Sequence, residues 1–582
     1  MLQAIGLTSA PGRDRPPVVD DLTFEAPPGR VTVLLGAPGS GKTTALRLML
    51  ELESGRGVTY FRGRPLHRIG HPAREVGVLL GDVPGHPART VRGQLRMLCA
   101  AAGVPAVRAD ELLEVVGLAG LGDQRIGTLS AGMDRRLGLA SALLGDPHTL
   151  LLDEPAKGLS PRERSWMHGL LRAHAAEGGT VLHTTSDPKE AAVTADRVVT
   201  IDGGRLVADQ AVADFSRTRL RPRVAVRTPH AARLAAVVSR EARAARRPVE
   251  VVAEDGSRLS VYGSSCAEVG DTAYRHGVPV HQLADEIGDA GPVAVPAARI
   301  PGRAAPRSAS AVAISKLPPP IAVRPARGPL RPLRYELRRL FGVRTTTLVI
   351  ATVLLLSAGI SVLLARSGRA SLPDLLVAWP DLLPLPPAAF GAGLIGALSF
   401  GDEYRYPALA AGRGTVPRRL GLLLAKLTVS SGVALLLALL SVLADAEALR
   451  LVYGKGVVGV PDNALPLAMS WIGLSVGCAW AGLLAAGVFR MAAAGVAAVL
   501  AVPVLMVPLV QKLLAGPSAR SIVGLPARLR ELTWLQWPYE VDRWAMAAVR
   551  VVAQPVGVAL SLSLSVLICA YVFTGLRGRA RW

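Results

Sequence analysis

A glycine-rich segment near the N-terminus has the residue types needed to hold phosphate groups. Residues 36–43 read G-A-P-G-S-G-K-T, which fits the pattern G-x-x-x-x-G-K-[ST] between an apolar strand and a helix. Glycines let backbone N–H groups wrap a phosphate, a lysine reaches the β- and γ-phosphates, and a threonine hydroxyl can bind Mg²⁺. A chance glycine-rich turn is the alternative, and the strand–helix context argues against it. The predicted phosphate-binding residues are Gly36, Ala37, Pro38, Gly39, Ser40, Gly41, Lys42, Thr43 and Thr44.

A pair of carboxylates follows another apolar run, in the sequence L-L-L-D-E-P at 150–155. Asp153 is placed to hold Mg²⁺ together with Thr43, and Glu154 is placed to polarise an attacking water as the catalytic residue. An apolar run followed by Asp-Glu is only moderately specific alone. Together with the glycine-rich segment it predicts a site for ATP and Mg²⁺.

Alternating strands and helices position these residues. Apolar runs at 31–35, 149–152 and 180–183 predict buried strands, so residues 1–216 are expected to form an α/β P-loop nucleotide-binding domain with a mainly parallel sheet. Residues 217–290 predict β-α-β-β-α-β, a small α+β module of ferredoxin-like type, with a hairpin at Asp255-Gly256. Residues 291–332 hold ten prolines and no acid, which predicts a linker rich in Pro and Arg.

Long apolar runs dominate residues 333–582 and predict an all-α membrane domain of six transmembrane helices. Lys426 lies one to two turns inside the third span, where its side chain can reach the interface. The flanks predicted to lie inside carry +10 against +2 for the outer loops, so both termini are expected in the cytoplasm of a multi-pass plasma-membrane protein. The predicted spans are Thr346–Ala365, Pro384–Phe400, Leu420–Ala444, Ala464–Phe489, Met491–Val510 and Val556–Leu576.

The net charge of +22 argues against nucleic acid as a partner once it is divided along the chain. Residues 1–289 contribute +3, residues 290–336 contribute +7 and the apolar remainder contributes +12. A nucleic-acid-binding domain would carry its excess charge on the polar, folded part of the chain. The basic residues instead flank the predicted spans, which favours membrane topology and contact with anionic lipid.

The segment between the two phosphate-site motifs resembles a known family. Residues 129–136 read L-S-A-G-M-D-R-R, and their order after the glycine-rich loop and before D-E-P is similar to that of ATP-binding cassette (ABC) transporters. The resemblance implies that Ser130 and Gly132 belong to the signature, which covers the γ-phosphate bound on a second, facing cassette. The chain is therefore expected to act as a dimer. The alternative for Ser130 is an ordinary helix N-cap.

The C-terminal half resembles the membrane domain of type-2 ABC exporters. Residues 334–340 look like the basic amphipathic helix before the first span, and residues 401–426 look like the cytoplasmic segment between spans two and three. The resemblance implies that Asp402, Glu403 and Arg405 couple the cassette to the spans. The alternative is a solvated charged loop. The loop 511–554, with three tryptophans, is expected outside the cell.

Several residues that the family uses to clamp ATP are missing. No aromatic residue lies near Ala10-Pro11-Gly12 to stack on adenine, and Gly81 replaces a glutamine, with Asp82 as a partial polar substitute. Ser186 occupies the position of the switch histidine. His183 is three residues earlier and, by strand alternation, points to the opposite face. These changes predict ATP binding with slow hydrolysis.

The combined interpretation is one half of an ATP-driven exporter with several degenerate ATPase motifs. Its expected partners are a second copy or a paralogous half-transporter, membrane lipid, and a small-molecule or lipid substrate, but no nucleic acid. The scarcity of charge in the spans favours an apolar or amphipathic cargo. Two alternatives remain: a hydrolysis-poor, ATP-binding membrane protein with a structural or regulatory role, and the degenerate half of a heterodimeric transporter.

Overall fold

The structure is a computed structural model of the 582-residue chain. It describes residues 1–11, 16–81, 85–289, 318–321, 329–368, 371–380, 383–406, 420–454, 464–514 and 555–580. Some expectations fall outside these residues: those for Gly12 and Asp82, most of the linker, the segment 407–419, and the tryptophans of the loop 515–554.

Strands and short helices alternate in the first half of the chain, and long helices fill the second. The strands are β1 Leu2–Ser9, β2 Leu22–Ala26, β3 Arg30–Leu35, β4 Gly55–Phe61, β5 Arg64–Pro65, β6 Val76–Leu79, β7 Thr149–Leu152, β8 Thr180–Thr185, β9 Arg197–Asp202, β10 Arg205–Ala211, β11 Leu220–Arg227, β12 Glu250–Asp255, β13 Arg258–Tyr262, β14 Gln282–Asp289 and β15 Pro320–Ile321. The helices of the first half are α1 Lys42–Met49, α2 Pro72–Glu75, α3 Val91–Ala102, α4 Arg108–Val115, α5 Ala131–Leu143, α6 Pro161–Ala176, α7 Pro188–Thr194, α8 Val212–Arg219, α9 Ala231–Ala244 and α10 Cys266–Arg275. The helices of the second half are α11 Pro332–Phe341, α12 Arg344–Ser367, α13 Leu372–Val377, α14 Pro387–Arg405, α15 Leu420–Tyr453, α16 Ala464–Phe489, α17 Ala492–Ala501, α18 Val507–Leu514 and α19 Pro555–Ala580, with a π-helical turn Val502–Met506 between α17 and α18.

The chain forms two compact units, and the first comprises residues 1–81 and 145–324. Its central sheet has the order β10-β9-β3-β8-β7-β6, in which only the β9–β10 pair is antiparallel. Strands β7 and β8 are buried along their whole length, as expected for apolar strands covered on both faces. Because β3, β8 and β7 are parallel neighbours, their carboxyl ends lie at one edge of the sheet.

A second, antiparallel sheet in this unit has the order β15-β4-β1-β2, with β5 also paired to β4. Its outermost strand comes from the segment expected to be a linker, since Pro320 pairs with Arg56 and Ile321 with Gly55. A proline is tolerated there because an edge strand leaves one side of its backbone unpaired. Part of the proline-rich segment is thus bound to the first unit.

Residues 220–289 form a small four-stranded antiparallel sheet with two helices. The elements follow the order β11-α9-β12-β13-α10-β14, and the strands lie in the order β12-β13-β11-β14. The apolar core between sheet and helices includes Val224, Leu234, Leu259, Val261 and Val269. The amphipathic helices α9 and α10 each bury one face against it.

The second unit comprises residues 82–144 and 325–582, and within it α3 packs against α11. Within the described residues, five helices are long and apolar enough to cross a membrane. The candidate spans are Arg344–Ser367, Leu420–Tyr453, Leu467–Phe489, Ala492–Val510 and Val556–Phe573. The sixth expected span, Pro384–Phe400, corresponds to α14, whose polar end at Asp402, Glu403 and Arg405 shortens its apolar stretch. A total of six spans therefore stays a prediction.

Helix α15 extends past the expected end of its span at Ala444 and continues to Tyr453. The residue after that predicted end is an acid, and the structure buries it. Asp445 is fully buried, and the Ser357 hydroxyl of α12 donates a hydrogen bond to its Oδ2 at 2.7 Å. The hydroxyl partly compensates the burial of the carboxyl group.

Glycines allow α14 and α16 to approach each other closely. A Cβ atom on Gly396 would lie 2.1 Å from the carbonyl oxygen of Ala479, and one on Gly482 would lie 2.2 Å from the carbonyl oxygen of Gly393. Close backbone approach at small residues is a common basis for helix association in membranes. These two helices form the centre of the described helical part.

Candidate nucleotide-binding site

The glycine-rich loop lies where the sequence predicts it, between β3 and α1. Gly39 and Gly41 have φ values of 84° and 97°, in the left-handed region that favours glycine. A Cβ atom on Gly41 would also lie 2.8 Å from the Val18 carbonyl oxygen. The loop therefore needs glycine at these turns, and it ends at the N-terminus of α1, where an anion is favoured.

Lys42 is buried at the base of this loop. Its Nζ donates hydrogen bonds to the carbonyl oxygens of Gly36 at 2.8 Å and Ala37 at 3.0 Å, and it lies 3.9 Å from Glu154 Oε1. Burial lowers the pKa of Lys42, although Glu154 and Asp153 favour its charged form. The ammonium group is thus held inside the loop, where a phosphate oxygen can replace a carbonyl partner.

Asp153 joins the loop to the ends of two parallel strands. Its Oδ2 accepts a hydrogen bond from the Thr43 hydroxyl at 2.8 Å, and its Oδ1 accepts one from the Thr184 hydroxyl at 2.7 Å. The Thr184 oxygen also accepts the Glu154 backbone N–H at 2.9 Å. Thr184 was not singled out from the sequence. Successive residues of a strand point to opposite faces, so the alternation that turns His183 away from the site also turns Thr184 toward it, and this pattern could have identified Thr184.

Glu154 adopts an unusual backbone conformation for a residue with a side chain. Its φ is 43°, a left-handed value that costs a non-glycine residue about 1–3 kcal/mol and often occurs at functional sites. Its Oε2 lies 2.8 Å from Lys157 Nζ, and its side chain remains one-quarter exposed. The turn after β7 therefore directs the predicted catalytic carboxylate toward Lys42 and solvent.

The oxygen atoms at this site suit Mg²⁺ bound together with a nucleotide. Thr43 supplies a hydroxyl and Asp153 a carboxylate, which are the hard ligands that Mg²⁺ prefers. Ser40 Oγ is buried and has no hydrogen-bond partner among the described residues. Within the residues that the structure describes, no group of three or more His, Cys, Asp or Glu side chains is placed to hold a metal ion without other ligands. Waters and nucleotide phosphates would have to complete the coordination shell.

The residues at the positions where the family has its γ-phosphate glutamine and histidine cannot make the same contacts. Ser186 is exposed beyond the end of β8, and Gly81 offers no side chain. His183 is fully buried, and neither ring nitrogen has a hydrogen-bond partner among the described residues. Burial lowers its pKa to about 4, which keeps the ring neutral at physiological pH. His183 thus belongs to the sheet's interior.

Ser130 and Gly132 begin helix α5 in the second unit. The Ser130 hydroxyl accepts a hydrogen bond from the Met133 backbone N–H at 3.3 Å, and Gly132 is buried. Ser130 therefore makes the N-cap contact that was the alternative to a signature role. A capping hydroxyl at a helix N-terminus can still face an anion, so the signature role stays a prediction.

The predicted coupling residues have very different environments. Glu403 is buried, Asp402 is half-buried, and Arg405 is exposed with its guanidinium 5.5 Å from the Tyr406 ring centre. Glu403 Oε2 lies 2.7 Å from Lys426 Nζ. Lys426 does not reach toward the interface as expected, because its side chain is fully buried between two acids.

We name these four residues the buried charge cluster: Glu336, Arg339, Glu403 and Lys426. Lys426 Nζ lies 2.7 Å from Glu336 Oε1, and Arg339 Nε lies 2.9 Å from Glu336 Oε2. Burial raises the pKa of Glu336, but Arg339 and Lys426 outweigh it and hold the pKa below its usual value. Glu336 therefore stays charged, and the cluster ties α11 to α14 and α15.

The segment 82–144 also contacts this cluster. The Arg89 guanidinium donates a hydrogen bond to the Arg339 carbonyl oxygen at 2.9 Å, and it lines a cavity of about 30 Å³ with Tyr335 and Glu403. Burial and the nearby Arg339 lower the pKa of Arg89 to about 10. Sequence reasoning missed Glu336, Arg339 and Arg89 as members because they are distant in sequence. The i,i+3 acid–base pair on an amphipathic helix was the only local signal.

Comparison with known proteins assigns the first part of the chain. Residues 19–157 match the family model described as ABC transporter, and residues 222–289 match a domain of unknown function (DUF8746). The Nod factor export ATP-binding protein I of Burkholderia thailandensis is 39% identical over 200 residues, covering 33% of this chain and 66% of that protein. The sulfate/thiosulfate import ATP-binding protein CysA of Nocardia farcinica is 36% identical over 194 residues, covering 32% of this chain and 59% of that protein.

Each match therefore covers less than two thirds of the relative's own length. Among solved structures, an ATP-binding subunit of an ABC transporter is 24% identical, with a TM-score of 0.34, and the match covers 37% of this chain and 92% of that one. The family match spans both the glycine-rich loop and the Asp153–Glu154 pair. The N-terminal part of this chain therefore contains the ATP-binding domain of an ABC transporter, and the C-terminal part adds several apolar helices.

Proposed function

We propose that this chain is a transporter subunit that uses ATP binding to move a substrate out across the plasma membrane. The observation that carries the proposal is the contact of Arg89 with the buried charge cluster. Arg89 belongs to the same segment as Ser130, and the cluster joins α11, α14 and α15. The chain thus holds an ATP-binding domain, apolar helices and a buried hydrogen bond from that segment to α11, which carries part of the cluster.

Each residue of the nucleotide site has a separate role in this proposal. Lys42 binds the β- and γ-phosphates, and the loop glycines let backbone N–H groups surround them. Thr43 and Asp153 hold Mg²⁺, which neutralises phosphate charge when bound. Thr184 orients Asp153 through its hydroxyl, and Glu154 polarises water. Ser130 and Gly132 would contact the nucleotide of a partner cassette.

Slow hydrolysis follows from the depleted γ-phosphate contacts. Phosphoryl transfer depends on positioned donors and charges, and here Gly81 and the exposed Ser186 replace two of them. Lys42, Asp153 and Glu154 remain in place. Binding is therefore better supported than turnover, and a paralogous half with a complete site is a suitable partner.

Export direction, topology and cargo are further parts of the proposal. The basic flanks of the apolar helices favour cytoplasmic termini, and the similarity of the membrane half to type-2 exporters favours outward movement. Names of relatives include both export and import proteins, so they leave the direction open. Asp445 is a buried acid within α15, Glu403 and Lys426 are buried together as a pair, and the apolar outward surfaces of the helices favour an amphipathic or lipid cargo.

The experiment is a comparison of ATP binding and ATP hydrolysis by the purified full chain. We expect wild type to bind a fluorescent ATP analogue with Mg²⁺ and to hydrolyse ATP slowly. Lys42→Ala should abolish binding, whereas Glu154→Gln should keep binding and remove the residual turnover. Rapid hydrolysis by wild type that Glu154→Gln abolishes would contradict the degenerate site. Absence of ATP binding would contradict the proposal as a whole.

A regulatory role is the second candidate, and the exposed Ser186 together with Gly81 favours it. In that case ATP would act as a bound ligand and not as a fuel. Proteoliposomes that contain the chain separate the two functions. Movement of a fluorescent phospholipid that requires ATP and intact Lys42 supports transport. Tight ATP binding without movement of phospholipid or amphipathic dyes supports regulation.

A further inference from the structure

Helix α11 carries a row of arginines on its exposed side. Arg331, which precedes the helix, Arg334 and Arg338 follow at spacings of three and four, so they lie on one face. Together they line a cavity of about 240 Å³ with the end of α3 and the turn after it, formed by Ala100, Val104, Pro105 and Ala106. The backbone N–H of Arg331 donates to the Ala100 carbonyl oxygen at 3.2 Å, which fixes this wall of the cavity.

An exposed apolar stripe lies beside the arginines on the same helix. Leu330, Leu333, Leu337 and Phe341 recur at helical spacing, and each is between 43% and 51% exposed. The opposite face is buried and carries Glu336 and Arg339 of the buried charge cluster. A helix with an apolar stripe bordered by arginines is typical of one that lies in a membrane interface.

The position of α11 in the chain supports this placement. It ends at Phe341, and the first candidate span, α12, begins at Arg344. An apolar stripe at this point can enter the acyl region while the arginines stay at headgroup level. The outward faces of α11 and the start of α12 then contact the same leaflet.

The charges around the cavity favour an anion. Among the described residues, Arg331 and Arg334 have no acidic partner, and Arg338 donates to the Arg96 carbonyl oxygen. The nearby acid Asp110 is already paired at 2.9 Å with both Arg92 and Arg96. Guanidinium groups bind phosphate through two parallel hydrogen bonds. Within the described residues, the cavity therefore presents positive charge that no acidic side chain compensates.

We propose that this cavity and the adjoining apolar stripe bind an anionic phospholipid of the inner leaflet. The phosphate lies among Arg331, Arg334 and Arg338, and the acyl chains lie along Leu333, Leu337 and Phe341. This site is separate from cargo transport. It depends on α12 crossing the membrane with its N-terminal end at the inner face, and not on ATP turnover, so the outcome of the ATPase experiment leaves it unaffected.

The test measures the thermal midpoint of the full chain in detergent as dioctanoyl phosphatidylglycerol is added. We expect phosphatidylglycerol to raise the midpoint, and neither dioctanoyl phosphatidylcholine nor glycerol phosphate to do so. The double variant Arg331→Gln, Arg334→Gln should need roughly 30-fold more phosphatidylglycerol for the same rise, since each arginine adds about fivefold near an anionic surface. The matched control is Arg240→Gln, Arg243→Gln, an exposed pair at the same spacing on α9, which should respond like wild type.

The proposal would be overturned if the Arg331→Gln, Arg334→Gln variant responded to phosphatidylglycerol like wild type, or if phosphatidylcholine raised the midpoint as much as phosphatidylglycerol. It would also be overturned if glycerol phosphate raised the midpoint equally, because that result would indicate a general anion site. If the variant has a low midpoint before lipid is added, Arg331→Lys, Arg334→Lys replaces it. That variant keeps the charge and should keep most of the phosphatidylglycerol response. Complete loss of its response with a normal starting midpoint would contradict a site that depends on charge. A wild-type response that is insensitive to 0.5 M salt, roughly the range where exposed charges are screened, would contradict the site as well.

Discussion

Removal of Lys426 should destabilise the helical unit far more than removal of an exposed charge. Lys426 is fully buried, with Nζ at 2.7 Å from both Glu336 Oε1 and Glu403 Oε2. In Lys426→Met, Glu336 keeps Arg339, but among the described residues Glu403 keeps no ion pair, only the Tyr335 hydroxyl at 3.5 Å and the longer-range charge of Arg339. An uncompensated buried charge of this kind costs about 3–5 kcal/mol.

The charge left on Glu403 is the main source of that loss, so removing it should restore stability. The double variant Lys426→Met, Glu403→Gln replaces the ion pair with neutral groups of similar size. We expect it to recover more than half of the loss, because buried pairs exchanged for neutral groups are often close to neutral overall. Glu403→Gln alone should cost about 1 kcal/mol, since Lys426 keeps Glu336.

The assay is the apparent melting temperature of the full chain in detergent at one fixed heating rate. A loss of about 3–5 kcal/mol corresponds to roughly 6–15 °C for a unit of this size. The matched control on the same helix is Arg450→Gln, which breaks the exposed Arg450–Glu447 pair at 3.7 Å and should change the midpoint by about 2 °C or less. If Lys426→Met melts like this control, or if the double variant is no more stable than the single one, the reasoning fails.

Three further changes test other parts of the structure. Gly396→Ala should lower the melting temperature by an amount equivalent to about 1–3 kcal/mol, because its Cβ would lie 2.1 Å from a carbonyl oxygen of α16. Gly432→Ala, with open space around the residue, should leave the melting temperature unchanged. Equal melting of the two variants would argue against close packing of α14 on α16. His183→Leu should retain more stability than wild type as the pH falls from about 6.5 toward 4, by up to about 3 kcal/mol. The pKa of His183 in the folded chain, about 4, lies below the usual 6.5, so the unfolded chain takes up the proton first. A parallel loss of melting temperature in both proteins would exclude this effect. Thr184→Val should weaken Mg²⁺-dependent ATP binding about tenfold while Thr184→Ser preserves it, and an unaffected Mg²⁺ titration would remove Thr184 from the site.

Local sequence patterns located the loop and strand ends of the candidate nucleotide site better than the contacts of the helical unit, and the roles of the site residues stay predictions. The residues of the phosphate loop are consecutive, and Asp153 follows a strand whose parallel partners bring it to the same edge as Thr43. The conformation of the loop and the end of each strand depend on residues that are close in sequence, and the parallel sheet then brings these ends together. Alternation along β8 also predicted that His183 points away from the site.

The buried charge cluster depends instead on packing between distant helices. Residues 336, 403 and 426 are each read locally as interfacial or solvated charges, and only their mutual compensation makes burial tolerable. The extension of α15 past Asp445 has the same origin, because the Ser357 hydroxyl that supports this acid comes from another helix. A single sequence carries no local signal for such pairings. The edge strand at Pro320 was missed for the same reason.

We propose that ATP bound at Lys42 changes the apolar helices and the buried charge cluster that joins α11, α14 and α15. The most direct measurement is hydrogen–deuterium exchange of the full chain in nanodiscs, with and without ATP and Mg²⁺. We predict that ATP protects the loop 36–43 and also changes exchange in α11 and at the polar end of α14. Lys42→Ala should abolish both effects, and Lys426→Met should weaken only the second. Protection of the loop without any change in α11 or α14 would contradict the account.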